Sequence, residues 1–347
     1  MTAPLLAALR LLSDRRDLSA DETAQAFGVI MRGEATPALI AGLLMGLRAK
    51  GETADELAGA ASALRAAMVA VTPSAGPPVV DTCGTGGGTV STFNVSTAAG
   101  FVAAAAGARV AKHGNRSYTS KCGSADLLEA LGVNIGLAAD RAAAMLDEAR
   151  LVFLFAPNYH PAMRHVGPTR KELAVATIMN LLGPLANPAG VRRQVIGVAD
   201  RARAPLVAEA LLRLGVDHAL VVHGDVGMDE ISPAGRTAVW EVRDGKTTAW
   251  VIDPEDYGLH WARIADLAGG EPAENAARVE RLLNGSAVGE PGWQTEEGCR
   301  RAVVLNAAAA VYVAGLAPDY RTAIRVAEEA LAAGGGREVL ARLRAAG

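Results

Sequence analysis

The N-terminal part of the chain carries a hydrophobic pattern with the period of an α-helix. Between residues 39 and 47, leucine and isoleucine side chains recur every three or four positions and therefore share one face. Ser19 and Thr53 each precede a glutamate by three positions, which predicts a capping box at a helix start. Thr36 precedes a proline, a pair that also begins helices. These signals predict a small all-helical domain over residues 1–72.

Beyond a turn-rich linker at residues 72–78, short apolar runs alternate with helical patterns. The runs predict strands at residues 79–82, 108–111, 151–155, 194–198 and 219–222. The patterns between them predict helices at residues 95–106, 125–131, 138–149 and 205–214. Such alternation is typical of a largely parallel sheet that is covered by helices.

The rest of the chain predicts one antiparallel hairpin and a helical end. Apolar runs at residues 239–242 and 247–252 flank Asp244 and Gly245, a pair that favours a hairpin turn. Helical patterns continue from about Asn275 onward. The predicted fold class is α/β, with a small all-helical domain and a large α/β domain whose mostly parallel central sheet is flanked by helices.

Composition excludes several classes of protein. Of the 347 residues, 50% are hydrophobic and 20% are charged, so the chain can bury a substantial core. A net charge of −3 and a pI near 6.1 argue against a protein that coats nucleic acid. The longest uncharged stretch, residues 82–108, is too polar in its first half to span a membrane, and the N-terminus lacks a secretory signal. We therefore expect a cytoplasmic protein that binds neither nucleic acid nor membrane.

The first candidate site is a glycine cluster at the end of the first predicted strand. Four of the five residues 84–88 are glycines, so backbone amides can approach an anion at the start of the next helix. Serine and threonine hydroxyls at that helix start can donate to phosphate or bind a hard cation. The spacing matches neither a dinucleotide fingerprint nor a Walker A loop. A flexible strand-to-helix turn is the alternative interpretation.

A basic, hydroxyl-rich loop follows the second predicted strand. Residues 112–116 read Lys-His-Gly-Asn-Arg, and residues 117–120 add four hydroxyl side chains. Ligands of a parallel α/β sheet bind beyond the carboxyl ends of its strands, so this loop and the glycine cluster are expected to lie side by side. The combination predicts a site for a highly charged phosphate ester. For Lys112 alone, a solvated surface charge is the alternative.

These motifs resemble those of the anthranilate phosphoribosyltransferase family, in order and over nearly the whole chain. The matching segments are residues 84–87, 94–97, 112–116, 123–132, 160–163, 170–173, 180–188 and 223–230. The family has a small helical domain, which usually mediates dimerisation, and a large α/β domain. The resemblance therefore implies a homodimer formed through the helical domain. It also implies domain limits of 1–72, with about 168–190 returning to the small domain, and of 78–165 with 191–347.

The resemblance implies a binding site for phosphoribosyl pyrophosphate. The glycine cluster and the following helix start are expected to supply Gly84, Thr85, Gly87, Gly88, Thr92, Asn94, Val95, Ser96 and Thr97. The second strand end and its loop are expected to supply Lys112, His113, Gly114, Asn115, Arg116, Ser117, Tyr118, Thr119, Ser120 and Ser124. His113 is equally well explained by packing, so its role stays open.

A metal site and an acceptor site are also implied by the resemblance. Ser96, Asp229 and Glu230 are expected to bind Mg²⁺, which prefers oxygen ligands and bridges substrate phosphates. The positions expected to face anthranilate are Gly84, Asn115, His160 and Arg170. Arg170 suits the task because its planar guanidinium pairs with a carboxylate. Without the resemblance, the acidic pair would be interpreted as solvated and Arg170 as a helix-surface residue.

The implied reaction transfers the phosphoribosyl group to the amine of anthranilate. Charge develops on the ribose as pyrophosphate leaves, and donors at the helix start, together with magnesium, stabilise the leaving group. A neutral aromatic amine is already nucleophilic, so we predict neither a covalent nor a general-base catalytic residue. Closure of the two domains is expected to align the substrates and exclude water.

Several positions depart from the family pattern. Gly88 stands where an aspartate is usual, which removes a carboxylate beside the substrate and metal and loosens the loop backbone. We expect altered magnesium dependence rather than loss of activity. Ala174 and Ala176 stand where glycine and arginine are usual, and Thr119 and Cys122 each replace a common serine. None of these changes removes a predicted metal ligand.

Two other functions compete with this interpretation. A related transferase of the same fold, such as a pyrimidine nucleoside phosphorylase, shares Lys112 and His113, but residues 170–173 and 180–188 favour anthranilate. A non-catalytic relative that binds nucleic acid is expected to have a high pI, whereas the pI here is near 6.1.

Overall fold

The computed structural model describes residues 2–117, 120–285 and 293–345. Four helices open the chain: α1 (Ala3–Ser13), α2 (Ala20–Met31), α3 (Pro37–Lys50) and α4 (Ala54–Ala66). The predicted caps are confirmed, because Ser19 and Thr53 each form a capping box and the Thr36 side chain accepts from the amide of Leu39. The N-terminal region is therefore all-helical, as predicted.

Seven strands form one sheet, and each of the predicted strands is present. They are β1 (Val79–Gly84), β2 (Arg109–Gly114), β3 (Leu151–Phe155), β4 (Arg193–Gly197), β5 (His218–Gly224), β6 (Thr237–Arg243) and β7 (Lys246–Ile252). Their spatial order is β3-β2-β1-β4-β5-β6-β7. The first five are parallel, and β6 and β7 continue the sheet antiparallel through the predicted turn at Asp244 and Gly245.

Helices cover the sheet, and those predicted between strands are confirmed. The first group is α5 (Val95–Ala105), α6 (Ser124–Ala130), α7 (Ala139–Ala149), α8 (Ala156–Tyr159), α9 (Gly167–Leu173), α10 (Met179–Leu185) and α11 (Ala204–Arg213). The last group is α12 (Pro272–Leu283), α13 (Trp293–Ala314), α14 (Tyr320–Ala332) and α15 (Gly335–Ala345). Short 3₁₀ helices lie at Pro161–His165, Arg201–Arg203, Pro254–Tyr257 and Ile264–Leu267. Of the helices in the described ranges, none is long and apolar enough to cross a membrane.

The two faces of the sheet pack into two hydrophobic clusters. On β4, Val195 belongs to the cluster beneath α5 and α13, whereas its neighbour Ile196 belongs to the cluster of the N-terminal helices. This alternation follows from the two-residue period of a strand. The second cluster also contains α10 and α11, so the N-terminal helices and one face of the sheet share a core. The domain limits proposed above stay a prediction.

The strand order creates a crevice between β1 and β4. The chain passes from β1 through α5 to β2 on one side, and returns after β3 to place β4 on the other side of β1. Connections leave in opposite directions at this switch point, which is where open α/β sheets bind their ligands, beyond the carboxyl ends of the strands.

Candidate functional site

Two glycines allow the chain after β5 to cross the ends of β1 and β4. A Cβ atom at Gly84 would lie 2.5 Å from Oδ2 of Asp229, and one at Gly197 would overlap the backbone of Asp229. Neither position has room for a side chain. Residues 227–230 therefore pack directly onto the strand ends, which brings the predicted acidic pair into the crevice.

The glycine-rich loop at residues 84–89 is bonded to this acidic segment. The amide of Gly86 donates to Oδ2 of Asp229 at 2.8 Å, and the amide of Thr89 donates to the carbonyl of Gly227 at 3.1 Å. Gly86 and Gly87 have positive φ angles of 67° and 81° and face open space. The loop therefore needs glycine for its backbone and leaves room above it for a ligand.

Among the described residues, few groups donate hydrogen bonds to the carboxylates of the acidic pair, Asp229 and Glu230. Oε1 of Glu230 accepts a 3.3 Å bond from the Thr92 hydroxyl. Burial, and after it the neighbouring Asp229 carboxylate, raise the pKa of Glu230 to about 8. Burial also raises the pKa of Asp229. Two adjacent carboxylates that resist joint ionisation are suited to a divalent cation.

Lys112 joins β2 to the end of β1 and the start of α5. Its side chain is buried, and Nζ donates to the carbonyl of Thr82 at 2.5 Å and to the Ser96 hydroxyl at 3.1 Å. Burial lowers the pKa of Lys112, and the charge of Asp81 opposes this effect. The crevice is lined by Thr82, Cys83, Ser96, Val195, Gly197, Val222, Asp229, Glu230 and Asn306. Lys112 is therefore not a solvated surface charge, and its role as a ligand stays a prediction.

The oxygen donors fit a hard cation. Asp229 and Glu230 offer carboxylates and Ser96 a hydroxyl in one crevice. In the part of the chain that the structure describes, no three His, Cys, Asp or Glu side chains are grouped so that they could hold a metal ion by themselves. Magnesium is commonly held by one or two carboxylates together with water and substrate phosphates, so this donor set is sufficient for it.

Asn94 and Thr85 connect the structural elements around the site by hydrogen bonds. The Asn94 side chain donates to the carbonyl of Cys122 at 3.0 Å and accepts from Asn275 at 3.1 Å, so it links the start of α5 to α12. Thr85 bonds the end of β4 through its amide, which donates to the carbonyl of Gly197 at 2.9 Å. Val95 and Thr97 are buried in the first turn of α5.

The loop after β2 is bonded mainly to itself and to α6. Gly114 is required there, because a Cβ atom would overlap the Ser124 hydroxyl. That hydroxyl donates to the carbonyl of Asn115 at 3.2 Å, and Ser117 Oγ accepts from the amide of Ser120 at 2.7 Å. Tyr118 and Thr119, which were predicted to bind substrate, lie outside the described residues.

Arg116 is engaged by acids of α6. Its guanidinium lies 2.8 Å from Asp126 and also pairs with Glu129. These partners neutralise the charge that was predicted to face phosphate. The role of Arg116 in substrate binding stays a prediction, and the structure gives it a local structural role.

The predicted acceptor residue His160 lies beside His113. Their ring centroids are 5.0 Å apart, and both side chains are buried. Burial lowers the pKa of His113 to about 3 and that of His160 to about 4, so both rings are neutral near pH 7. Arg170 is half-buried on α9, which packs against α3. The fold thus brings together two histidines that are far apart in sequence.

Sequence reasoning missed the role of Asn306. Its side chain accepts from the amide of Ile231 at 3.0 Å and donates to the carbonyl of the same residue at 2.8 Å, so it fixes the residue after Glu230. Asn306 is buried in α13 among alanines. A single asparagine in an apolar helical run could have indicated this role, because a buried polar side chain needs a hydrogen-bond partner.

The chain matches known proteins along its whole length. A family described as "Glycosyl transferase family, a/b domain" matches residues 76–337, and its "helical bundle domain" matches residues 6–68. The anthranilate phosphoribosyltransferase of Herpetosiphon aurantiacus is 48% identical, over 97% of this chain and 97% of that protein. The one from Myxococcus xanthus is 47% identical with the same coverage.

Solved structures agree with the sequence matches. The crystal structure of anthranilate phosphoribosyltransferase from Thermus thermophilus has a TM-score of 0.90 and 42% identity, and 98% of each chain is covered. The enzyme from Saccharomyces cerevisiae in complex with PRPP and Mg has a TM-score of 0.88 and 28% identity, and covers 100% of this chain and 98% of that one.

Proposed function

Because this chain belongs to the anthranilate phosphoribosyltransferase family, we propose that the crevice between β1 and β4 is its active site. The enzyme transfers the 5-phosphoribosyl group from phosphoribosyl pyrophosphate to the amine of anthranilate. The products are N-(5-phosphoribosyl)anthranilate and pyrophosphate, in tryptophan biosynthesis. One observation carries the assignment of the site: the glycine-rich loop, Lys112 and the acidic pair meet at the same strand ends.

The donor substrate is held, in this proposal, by the loop at residues 84–88 and the start of α5. Amides of the loop and of the first helical turn point positive dipole ends at the phosphates. Lys112 and the hydroxyls of Thr92 and Ser96 add charge and donors. These groups stabilise the negative charge that grows on pyrophosphate as the bond to ribose breaks.

Magnesium is proposed to bind Ser96, Asp229 and Glu230. The yeast relative was solved in complex with PRPP and Mg, and the oxygen donors here suit the same ion. When bound, the ion neutralises the charge of the pyrophosphate. The raised pKa of Glu230 means that the cation competes with a proton for this carboxylate.

Anthranilate is proposed to bind on the His113 side of the crevice. The yeast relative was also solved with 4-fluoroanthranilate, which supports an aromatic acceptor site in this fold. His113 and His160 offer a buried, neutral wall, while Asn115 and Arg170 are expected to contact the amine and carboxylate. The neutral amine attacks the ribose carbon without a protein base.

A homodimer through the N-terminal helices completes the proposal. Leu6 on α1 is 40% exposed and Met45 on α3 is 37% exposed, which gives these helices apolar surface for a partner copy. Sedimentation of the purified protein tests this. A monomer at micromolar concentration would contradict it.

The decisive experiment follows anthranilate fluorescence after the protein is mixed with phosphoribosyl pyrophosphate and magnesium. We expect a loss of fluorescence that requires all four components and is absent in a metal-free control. If no loss occurs over a wide range of magnesium concentrations, nucleobases and nucleosides become the next acceptors to assay, as for a related transferase of this fold.

A further inference from the structure

Residues 183–187, at the carboxyl end of α10, form a segment that we call the strap. The carbonyls of residues 183, 184 and 185 each meet a different side chain: His113 from β2 at 3.1 Å, Gln194 from β4 at 2.9 Å and Arg65 from α4 at 2.7 Å. Three successive carbonyls are therefore fixed by three different elements. The strap is bonded both to the sheet and to the N-terminal helices.

Asn187 extends the same network to β1. Its amide donates to Oδ2 of Asp81 at 2.8 Å and to the carbonyl of Ala111 at 2.7 Å. The other oxygen of Asp81 accepts from the backbone amide of His113 at 3.2 Å. The buried Asp81 carboxylate therefore bonds both Asn187 of the strap and the backbone of His113, whose ring contacts the strap.

Burying the polar side chains of Asp81 and Gln194 is unfavourable for the free energy of folding, which indicates a role other than stability. Asp81 and Gln194 are fully buried in central parallel strands, where apolar side chains are the rule. Oε1 of Gln194 has no hydrogen-bond partner among the described residues. Burying an incompletely bonded amide is unfavourable, and an apolar residue would satisfy the core better. The bond of Gln194 to the strap is the feature that an apolar residue could not provide.

We propose that Gln194 and Asp81 are positioning residues for the acceptor side of the crevice. They hold the strap against the sheet, and the strap in turn fixes the His113 ring, which lies beside His160. The proposal rests on the proposed function, because it assumes that this wall receives the aromatic acceptor. A displacement of about 1 Å in such a wall is enough to impair substrate alignment.

Kinetics of Gln194→Met test the proposal, since methionine keeps the length of the side chain but cannot donate. We expect the KM for anthranilate to rise about five- to tenfold and the KM for phosphoribosyl pyrophosphate to stay within about twofold. Asp81→Asn should also raise the KM for anthranilate, because a neutral side chain bonds the Asn187 amide and the His113 backbone amide less well. It also removes a charge that acts on Lys112, so the split between the two KM values is expected of Gln194→Met alone. Tyr320→Phe is the matched control: it deletes one buried donor, to the carbonyl of Leu305 at 2.8 Å, in another part of the core.

Hydrogen exchange of the strap gives a readout that does not depend on activity. Residues 179–189 should exchange faster in Gln194→Met than in the wild type, and should be unchanged in Tyr320→Phe. The proposal is overturned if strap exchange is unchanged in Gln194→Met, if both KM values rise equally, or if the control shows the same kinetic split. Failure of the wild type to consume anthranilate would instead refute the proposed function, whereas the exchange data would still report on the strap.

Discussion

The donor half and the acceptor half of the proposed site differ in the groups that form them. The donor half consists of loop amides, hydroxyls, Lys112 and two carboxylates, and its glycine-rich loop is bonded mainly to the acidic segment. The acceptor half consists of neutral buried histidines and a strap fixed by side chains from β2, β4 and α4. In the proposed function, the highly charged donor substrate contacts charged groups and a glycine-rich loop. The flat acceptor contacts a buried wall whose strap is bonded by side chains of three elements.

Lys112→Met tests the donor half and should have the largest effect. In the proposed site the buried Lys112 ammonium, beside the start of α5, stabilises the leaving pyrophosphate, so its loss should lower kcat/KM about 10²- to 10³-fold. The change leaves the buried Asp81 without its neighbouring cation, so the fold of the variant is verified by circular dichroism before its activity is compared. Lys121→Met is the control: that side chain is 69% exposed and should change activity less than about threefold. Equal activity of the two variants would place phosphate binding elsewhere.

Gly88→Asp tests whether the donor half is tuned by charge. A Cβ atom at this position would lie 2.9 Å from the carbonyl of Gly227 and 3.4 Å from Oδ1 of Asp229. The loop must therefore shift to admit a side chain, and the new carboxylate would then lie near the acidic pair. We expect the magnesium concentration for half-maximal activity to fall about three- to tenfold, because a further negative charge attracts the cation. Gly88→Asn has the same shape without the charge and should not show this shift. An identical response of both variants would contradict the electrostatic explanation.

The two halves also differ in how far the sequence predicts them. Strands, helices and caps follow from short-range periodicity, and the donor half follows because parallel strand ends share one edge of the sheet. The bond between Gly86 and Asp229 joins residues 143 positions apart, and no local pattern indicates it. The ion pairs of Arg116 with Asp126 and Glu129 of α6 are likewise not indicated by a local pattern, and its role in phosphate binding stays a prediction. The contacts of the acceptor half depend almost wholly on tertiary packing.

The pH dependence of stability tests whether the acceptor wall is neutral. Burial holds the pKa of His160 at about 4, below its ordinary value of 6.5. Between these values the unfolded chain binds a proton that the folded chain does not, so stability falls as the pH falls from 6.5 towards 4. His160→Phe should reduce the slope of the unfolding free energy against pH by up to about 1.4 kcal/mol per unit in urea titrations.

A substitution at the exposed His260 serves as the control for the pH experiment. His260→Phe makes the same replacement at an exposed position, and a change in slope as large as that in His160→Phe would show that the dependence does not come from the buried wall. An unchanged slope in His160→Phe would instead mean that its imidazole titrates alike in the folded and unfolded chains. The wall would then be accessible to solvent, and the contrast between the two halves would be weaker than we infer.

Ala174→Gly should have the smallest effect and tests whether the backbone is strained near Arg170, in the acceptor half. Ala174 ends α9, the helix of Arg170, with a φ of 52°, a left-handed conformation that glycine adopts freely and alanine does not. Relief of this backbone strain stabilises the folded chain, but glycine also raises the conformational entropy of the unfolded chain. The net effect that we expect is a stabilisation of about 0.5–1 kcal/mol. Ala176→Gly, where φ is not positive, should be neutral or destabilising. Stabilisation by both variants, or by neither, would show that the residue at the end of α9 is not strained.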